Sequence, residues 1–275
     1  MELLVCIKQV PDTSEIKLDP ETNNLIRTGL PSIVNPFDMH ALEAALVVKD
    51  AHSDSHITVI SMGPPQAEDA LRECLALGAD DAVLITDRAF GGADTLATSY
   101  TIASAIRHVQ TKQGKPFDMI FCGKQAIDGD TAQVGPQIAE ELGIPNVTYV
   151  CDIKLDTNEA GKPITVVTRE HDLGYEVVQA TLPVLVTATL ALNEPRVPTL
   201  WQSIYAKRYA IEHITVNDME VDKERLGLGG SPTRVRKVYQ PPLRAKVVMM
   251  DGSVADMATQ VVNMARTVKG GATHE

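Results

Sequence analysis

Met119-Ile120-Phe121-Cys122-Gly123-Lys124-Gln125-Ala126-Ile127-Asp128-Gly129-Asp130-Thr131-Ala132-Gln133-Val134-Gly135 is the stretch on which the fold turns. It reads as a short continuous apolar run, then a loop of Gly and Asp, then a helix from about Thr131 to Leu142. An apolar run with no polar alternation suits a strand covered on both faces, as in a parallel sheet. Leu3 to Ile7, Ile57 to Met62 and Ala82 to Ile85 repeat the pattern. Helical stripes separate them. Ala70, Leu71, Cys74, Leu75 and Leu77 form one, closed by Gly78, and Thr95 to His108 form another.

Strand, crossover helix and parallel strand recurring at this spacing are βαβ units. Residues 1 to about 190 are therefore expected to form an open, mostly parallel, three-layer α/β domain of Rossmann-like build. A late β-hairpin is added to it: Ile164 to Arg169 and Tyr175 to Ala180, with Leu182 to Ala188 as a further strand. After Asn193-Glu194-Pro195-Arg196 the character changes. Pro195 and Pro198 lead into Leu200-Trp201 and the basic Lys207-Arg208, and further breaks follow at Gly227 to Pro232 and Gln240-Pro241-Pro242. Helical periodicity returns only from Val254 to Val268. The expected division is a domain over residues 1–192 and an exposed, extended C-terminal arm over 193–275.

Composition narrows the function. The formal charge is −11, which argues against nucleic acid as a partner, since a phosphate-binding surface needs a basic excess. Aromatic residues are only 4% of the chain, fewer than a sheet sandwich or barrel usually carries, which again favours an α/β core of Val, Ile, Leu and Ala. Cys6, Cys74, Cys122 and Cys151 make no CxxC pair, so reduced, buried thiols are expected. The chain starts without a basic region and apolar stretch of the secretory kind, and no segment approaches the roughly 20 apolar residues that span a bilayer. The expectation is a cytoplasmic protein that inserts in no membrane.

In an open parallel sheet the ligand crevice lies beyond the carboxyl ends of the strands. The loops there contain neither GxGxxG nor GxxxxGK[ST], which weakens a standard dinucleotide site and a P-loop. Gly123 to Gly135 offers another route to phosphate. Asp130 stands three residues before Gln133, the spacing of a capping box, so the helix is expected to start there with its free N–H groups facing the crevice. Asp128 would then face a ribose hydroxyl or the loop's own backbone. The same pattern also describes a capped helix after an ordinary turn. Gly91-Gly92-Ala93-Asp94-Thr95-Leu96-Ala97-Thr98 repeats the logic, with Asp94 as N-cap and Thr95 and Thr98 one turn apart. Asn35-Pro36-Phe37-Asp38 precedes a helix whose apolar face is Ala41, Leu42, Ala45 and Leu46; its polar pair either binds adenine or forms the turn.

Taken in order, Cys6-Ile7-Lys8-Gln9-Val10-Pro11-Asp12, the Asn35 to Asp38 corner, Ser61-Met62-Gly63-Pro64, Gly123 to Gly135 and Leu192-Asn193-Glu194-Pro195-Arg196 resemble the β subunit of electron transfer flavoproteins, over nearly the whole chain. The resemblance implies an adenine-nucleotide-binding fold and a heterodimer with an α subunit, wrapped by the arm. In ordinary respiratory members the β subunit holds a structural AMP, and the protein is an electron carrier. In electron-bifurcating members it holds a second FAD, which takes a hydride from NADH. The Gly129 to Gly135 and Gly91 to Thr98 segments, and the tail at Gly230-Ser231-Pro232-Thr233-Arg234-Val235-Arg236-Lys237, resemble the bifurcating kind from anaerobic bacteria.

By position, the resemblance puts the adenosine end of the nucleotide at Cys6, Asn35, Asp38, Met62 and Gly63, largely through backbone groups. Cys6 and Met62 read equally as core packing. The phosphates fall to the loop of Gly123, Lys124, Gln125, Asp128, Gly129, Asp130, Thr131, Ala132, Gln133, Val134 and Gly135, and the flavin end to Asp94, Thr95 and Thr98. The resemblance also makes Pro195 to Lys207 a recognition loop for a flavin dehydrogenase of the acyl-CoA type, with Leu200 as the anchor. For the bifurcating kind, the resemblance implies ferredoxin or flavodoxin as the second electron acceptor. The flavin carries the chemistry, so no acid, base or nucleophile is expected, and the seven histidines have no metal-ligand spacing.

Overall fold

Strand β1 (Glu2–Cys6) has the second strand of the α/β repeat, β4 (His56–Met62), on one side and β6 (Met119–Gly123) on the other, both parallel to it. The computed structural model describes residues 1–12, 31–236 and 249–270. Between β1 and β4 come a small antiparallel pair, β2 (Gln9–Pro11) and β3 (Ser32–Val34), and helix α1 (Pro36–Ala51). Helix α2 (Glu68–Leu77) leads to β5 (Asp81–Ile85), and α3 (Thr95–Gln113) crosses back to β6. Helix α4 (Val134–Leu142) then leads into β7 (Asn146–Thr157), β8 (Pro163–His171), β9 (Gly174–Thr181) and β10 (Val184–Ala188). Helix α5 (Leu200–Arg208) and β11 (Glu212–Ile214) follow. The main sheet runs β11-β5-β4-β1-β6-β10-β7-β8-β9, parallel except at β7-β8 and β8-β9.

Alternate residues of each central strand feed two cores, which makes the three layers. Leu3, Val5, Ile57 and Val59 pack under α1 and α2 with Leu42, Leu46, Leu71 and Leu75. Leu4, Ile60 and Ile120 pack under α3 and α4 with Ile102, Ile106 and Ile138. Each such side chain contributes about 1.5–3 kcal/mol on burial. The expected apolar face of α1, Ala41, Leu42, Ala45 and Leu46, is buried throughout. Pro36 opens that helix at a position where its missing N–H costs nothing. Gly78 closes α2 at φ 126° and Gly114 closes α3 at φ 70°. No helix among the described residues is long and apolar enough to cross a membrane. Cys74 and Cys122 are buried and Cys6 and Cys151 partly so, all four as free thiols.

Three features differ from what the sequence reading contains. Helix α4 starts at Val134 instead of Thr131, and Asp130 does not cap it: Gln133 is the N-cap, without a side-chain bond, while Asp130 and Ala132 take left-handed φ values of 51° and 53°. The reason is Pro136. A helix from Thr131 would hold it in the interior, where the missing N–H and the ring clash break the ladder; from Val134 it falls in the tolerated first turn. Second, β7 is a twelve-residue strand that alternation alone did not reveal, because its first half is a parallel interior strand and its second half an antiparallel arm beside β8. Third, residues 200–208 are a helix. Thr199 and Gln202 make a reciprocal capping box, Ala206 is buried, and α5 packs on α2, after which β11 joins the sheet beside β5.

Contacts group Met1–Arg234 into one compact unit and Val235–Glu275 into another. In the second, Ser253 and Asp256 cap helix α6 (Val254–Gly270), on which Val261, Val262 and Met264 are exposed.

The packing of α4 on β10 makes a direct prediction. A Cβ at Gly135 would sit 2.8 Å from Thr187 Cγ2 and 3.5 Å from Leu185 Cδ2. Gly135→Ala is expected to cost about 1–3 kcal/mol by overpacking, read as a lowered urea midpoint at unchanged slope.

Candidate functional site

β4 and β5 continue the sheet to one side of β1, β6 and β10 to the other, so chain order reverses between β1 and β6. The carboxyl ends of those two strands are where such a sheet opens a crevice. One buried carboxylate ties them together. Asp38, in the first turn of α1, accepts the Lys8 N–H at 2.7 Å and the Gly123 N–H at 3.1 Å. Burial pushes its pKa up to about 7, against the opposing pull of its hydrogen bonds from Asn35, Lys8 and Gly123 and of the Lys8 charge. Gly123 has to be glycine: a Cβ there would stand 2.2 Å from Asp38 Oδ1 and 2.7 Å from Phe37 Cβ.

Asn35, fully buried, holds the loop that follows. Its Nδ2 donates to the Gln125 carbonyl at 2.8 Å, its Oδ1 accepts the Ile127 N–H at 3.2 Å, and its own N–H donates to the Lys8 carbonyl at 2.9 Å. Between its two readings as adenine contact and as corner, the side chain is used as the corner. Further along, Gln125 Nε2 donates to Asp130 Oδ1 at 2.8 Å. Asp128 pairs with Lys8 Nζ at 2.7 Å, a half-exposed ion pair that contributes little to stability but spans from the end of β1 to the loop. Lys124 donates its N–H to the Ala188 carbonyl at 2.8 Å, and its Nζ lies 4.8 Å from the centre of the Tyr149 ring. Tyr149 itself sits at φ 60°, a costly conformation for an aromatic residue, beside the bulge between β7 and β10. Gly129, Asp130 and Thr131 are exposed.

The two helix N-termini differ. Asp94 caps α3 as expected, accepting the Leu96 and Ala97 N–H groups at 3.1 Å each, and Thr98 N–H bonds the Asp94 carbonyl at 3.0 Å. The amides of Leu96, Ala97 and Thr98 are thus used, which leaves the Thr95 N–H and the Thr95 and Thr98 hydroxyls at this end of α3. At α4 no side chain caps the end, so Val134 and Gly135 present the free N–H groups that suit an anion. Thr95 Oγ1 donates to Gln133 Oε1 at 3.0 Å, which brings the Gly91 and Gly123 loops together. The donor set of free amides, hydroxyls and a glycine-walled turn fits a nucleotide with phosphates.

Gly63 closes against Ala67, with 2.9 Å from a Cβ to Ala67 Cβ, and its N–H donates to the Ile85 carbonyl. Met62 and Cys6 pack against the α3/α4 core, and a hydrogen bond with Cys6 together with burial holds the Cys122 thiol well above its usual range. Leu200 stands apart on α5, 75% exposed beside Trp201 at 80%. Sequence reasoning missed the clasp on Asp94. Ser231 Oγ accepts the Asp94 N–H at 2.8 Å, while Thr233 N–H and Oγ1 donate to Asp94 Oδ2 at 3.0 and 2.8 Å. The Ser-Pro-Thr turn after Gly230 was the visible signal for it, with nothing to say which loop it met.

The family model described as electron transfer flavoprotein domain matches residues 22–219. The electron transfer flavoprotein subunit beta of Megasphaera elsdenii is 55% identical over 89% of each chain. A protein of the same name from Clostridium acetobutylicum is 51% identical over 96% of this chain and 97% of its own. The caffeyl-CoA reductase-Etf complex subunit CarD of Acetobacterium woodii is 48% identical over 93% and 94%.

The Asp38 brace has a pH signature. Its folded pKa of about 7 is above the ordinary 3.8, so the folded state holds the proton longer than the unfolded chain. The resulting stabilisation is complete at low pH and is lost as pH rises through about 7. Asp38→Asn should remove this part of the pH dependence, measured as the difference between wild-type and variant unfolding free energy from pH 4 to pH 8.

Proposed function

Because the chain belongs to the electron transfer flavoprotein family, as a β subunit, we propose that its crevice takes FAD and that the assembled heterodimer bifurcates the electrons of NADH. As a β subunit it pairs with an α subunit and serves a dehydrogenase. On this proposal the two electrons would be divided between an acyl-CoA-type flavin dehydrogenase, reached by way of the α subunit and its FAD, and ferredoxin or flavodoxin. Bound in the β subunit, FAD supplies the acceptance of a hydride and the release of single electrons.

The observation that carries this reading is the second loop. A mononucleotide needs only the Gly123 loop and the β1 and β4 strand ends. Here the Gly91 to Thr98 loop is joined to the first by the Thr95–Gln133 hydrogen bond and is clasped from behind by Ser231 and Thr233. Chain devoted to fixing Thr95 and Thr98 beyond the phosphate loop suits a ligand longer than AMP.

The protein's own part is positional. The free amides of Val134 and Gly135 face the phosphates; Lys124, held over Tyr149, adds a cation beside them. Thr95 and Thr98 offer hydroxyls to the ring edge. Asn35 and Asp38 keep the loop in register and touch the ligand only through the backbone they hold. Leu200, exposed at the start of α5, is the docking anchor for the dehydrogenase: an apolar knob gives specificity with fast release.

Two measurements test the reading. Anaerobically purified heterodimer should release two FAD, and NADH should bleach its flavin absorbance; one FAD with one AMP and no bleaching defeats bifurcation and leaves an electron carrier. Leu200→Ala should slow electron delivery to the dehydrogenase by about tenfold, the scale of one lost interface anchor, with NADH-driven bleaching intact.

A further inference from the structure

The segment that leads into α5 is fastened to α1. Asn193 Oδ1 lies 3.0 Å from His40 Nδ1, and Asn193 Nδ2 donates to the His40 carbonyl at 2.9 Å. Three residues on, Arg196 closes on Glu43. Its Nε stands 2.9 Å from Oε2 and 3.2 Å from Oε1, its Nη2 2.9 Å from Oε1, and its backbone N–H 3.0 Å from Oε2. Nη2 also reaches Asp50 Oδ2 at 2.8 Å. Glu43 is only 7% exposed and stands between Leu42 and Ala44 on the buried side of the helix. Thr199 then starts α5 by its capping box, and Leu200 is the first helical residue.

A carboxylate at that depth is costly unless it is paired and hydrogen-bonded, and a well-packed apolar pair would stabilise the fold at least as well. What an ion pair with a planar fork adds is geometry: donor and acceptor meet in one arrangement, and the backbone N–H of Arg196 is included in it. The fixed residue lies four positions before Leu200 in a segment broken by Pro195 and Pro198, so little slack separates clamp and anchor. The same helix carries Asn35 and Asp38 at its other end, so the docking helix is referenced to the element that builds the crevice.

We propose that Glu43 is a positioning residue for partner docking, which holds the Arg196 segment on α1 so that Leu200 is presented to the dehydrogenase in its binding arrangement. The proposal rests on the reading of Leu200 as the anchor. Releasing the clamp lowers the fraction of molecules with Leu200 in place, and the apparent affinity falls by that fraction while the bound complex reacts as before.

The test uses the intact heterodimer, with an acyl-CoA-type flavin dehydrogenase as the acceptor probe, and compares E43Q, R196K and L200A. For E43Q and R196K the KM for the heterodimer should rise about tenfold with kcat within twofold of wild type, the pattern of a depleted competent state. Amide exchange over residues 194–199 should accelerate in both. L200A should raise KM without changing that exchange, and E43Q/L200A should be no worse than L200A alone, because the clamp acts through the anchor. If L200A raises KM while E43Q and R196K stay within twofold of wild type, the positioning role is overturned and the docking reading stands. If none of the three moves KM, both are overturned. Should E43Q not fold, R196K decides alone, since it keeps the charge and loses only the fork.

Discussion

A single carboxylate, that of Asp38, holds the amide of Lys8 at the end of β1 and the amide of Gly123 at the end of β6, and the arrangement of the crevice depends on this contact. Two parallel strands are joined by hydrogen bonds along their length, but beyond their ends the chains diverge and their amides have no ladder to join. Filling that gap with one buried acid sets the start of the Gly123 loop, and Asn35, three residues before, sets its middle. The cost is a desolvated acid with its pKa raised to about 7. The return is a loop whose backbone is held from below, which leaves its outer surface and the α4 amides free for a ligand.

The order in which the braces act is physical. Pro36 starts α1, which fixes where Asn35 and Asp38 project. Asp38 requires Gly123, because any Cβ would collide with its oxygen. Pro136 then delays α4 to Val134, and the residues between, with Asp130 and Ala132 left-handed, form the turn of the loop. Each step restricts the next, so disturbing α1 affects the site without touching the ligand. Helix α1 also receives Arg196 and Asn193, which makes it the common reference for the crevice and the segment that leads into α5.

The two glycine-rich loops looked alike in sequence and do different work. In the Gly91 loop the cap residue Asp94 takes the Leu96, Ala97 and Thr98 amides for itself, and the side chains of the first turn are the larger part of what remains. In the Gly123 loop the acid expected to cap the helix turns away to Gln125, and the backbone amides stay free. A self-capped helix end presents hydroxyls; an uncapped one presents a partial positive charge. That division suits an extended nucleotide with phosphates at one loop and a ring at the other.

What the sequence by itself determined is the layered sheet. Continuous apolar runs at Leu3, Ile57, Ala82 and Met119 with helical stripes between them have few alternatives, because burial on both faces leaves a strand no polar side. The hairpin and the Asp94 cap were legible for the same reason, since each depends on residues close in the chain, whereas α1 starts at Pro36, inside the corner expected to precede it. Where the tertiary structure decided, the cause lay far along the chain or in competition between local signals. The capping-box spacing at Asp130 and Gln133 lost to Pro136. Strand β7 changed partner midway, so no single period described it. The sequence from 193 to 275 reads as an arm, but within it Ala206, Arg196 and β11 meet α2, Glu43 and β5. Ser231 and Thr233 found Asp94 across a separation of nearly half the chain. Local patterns record which elements form; which buried acid meets which amide is settled only when the elements pack, since desolvation and hydrogen-bond geometry exist only in the folded state.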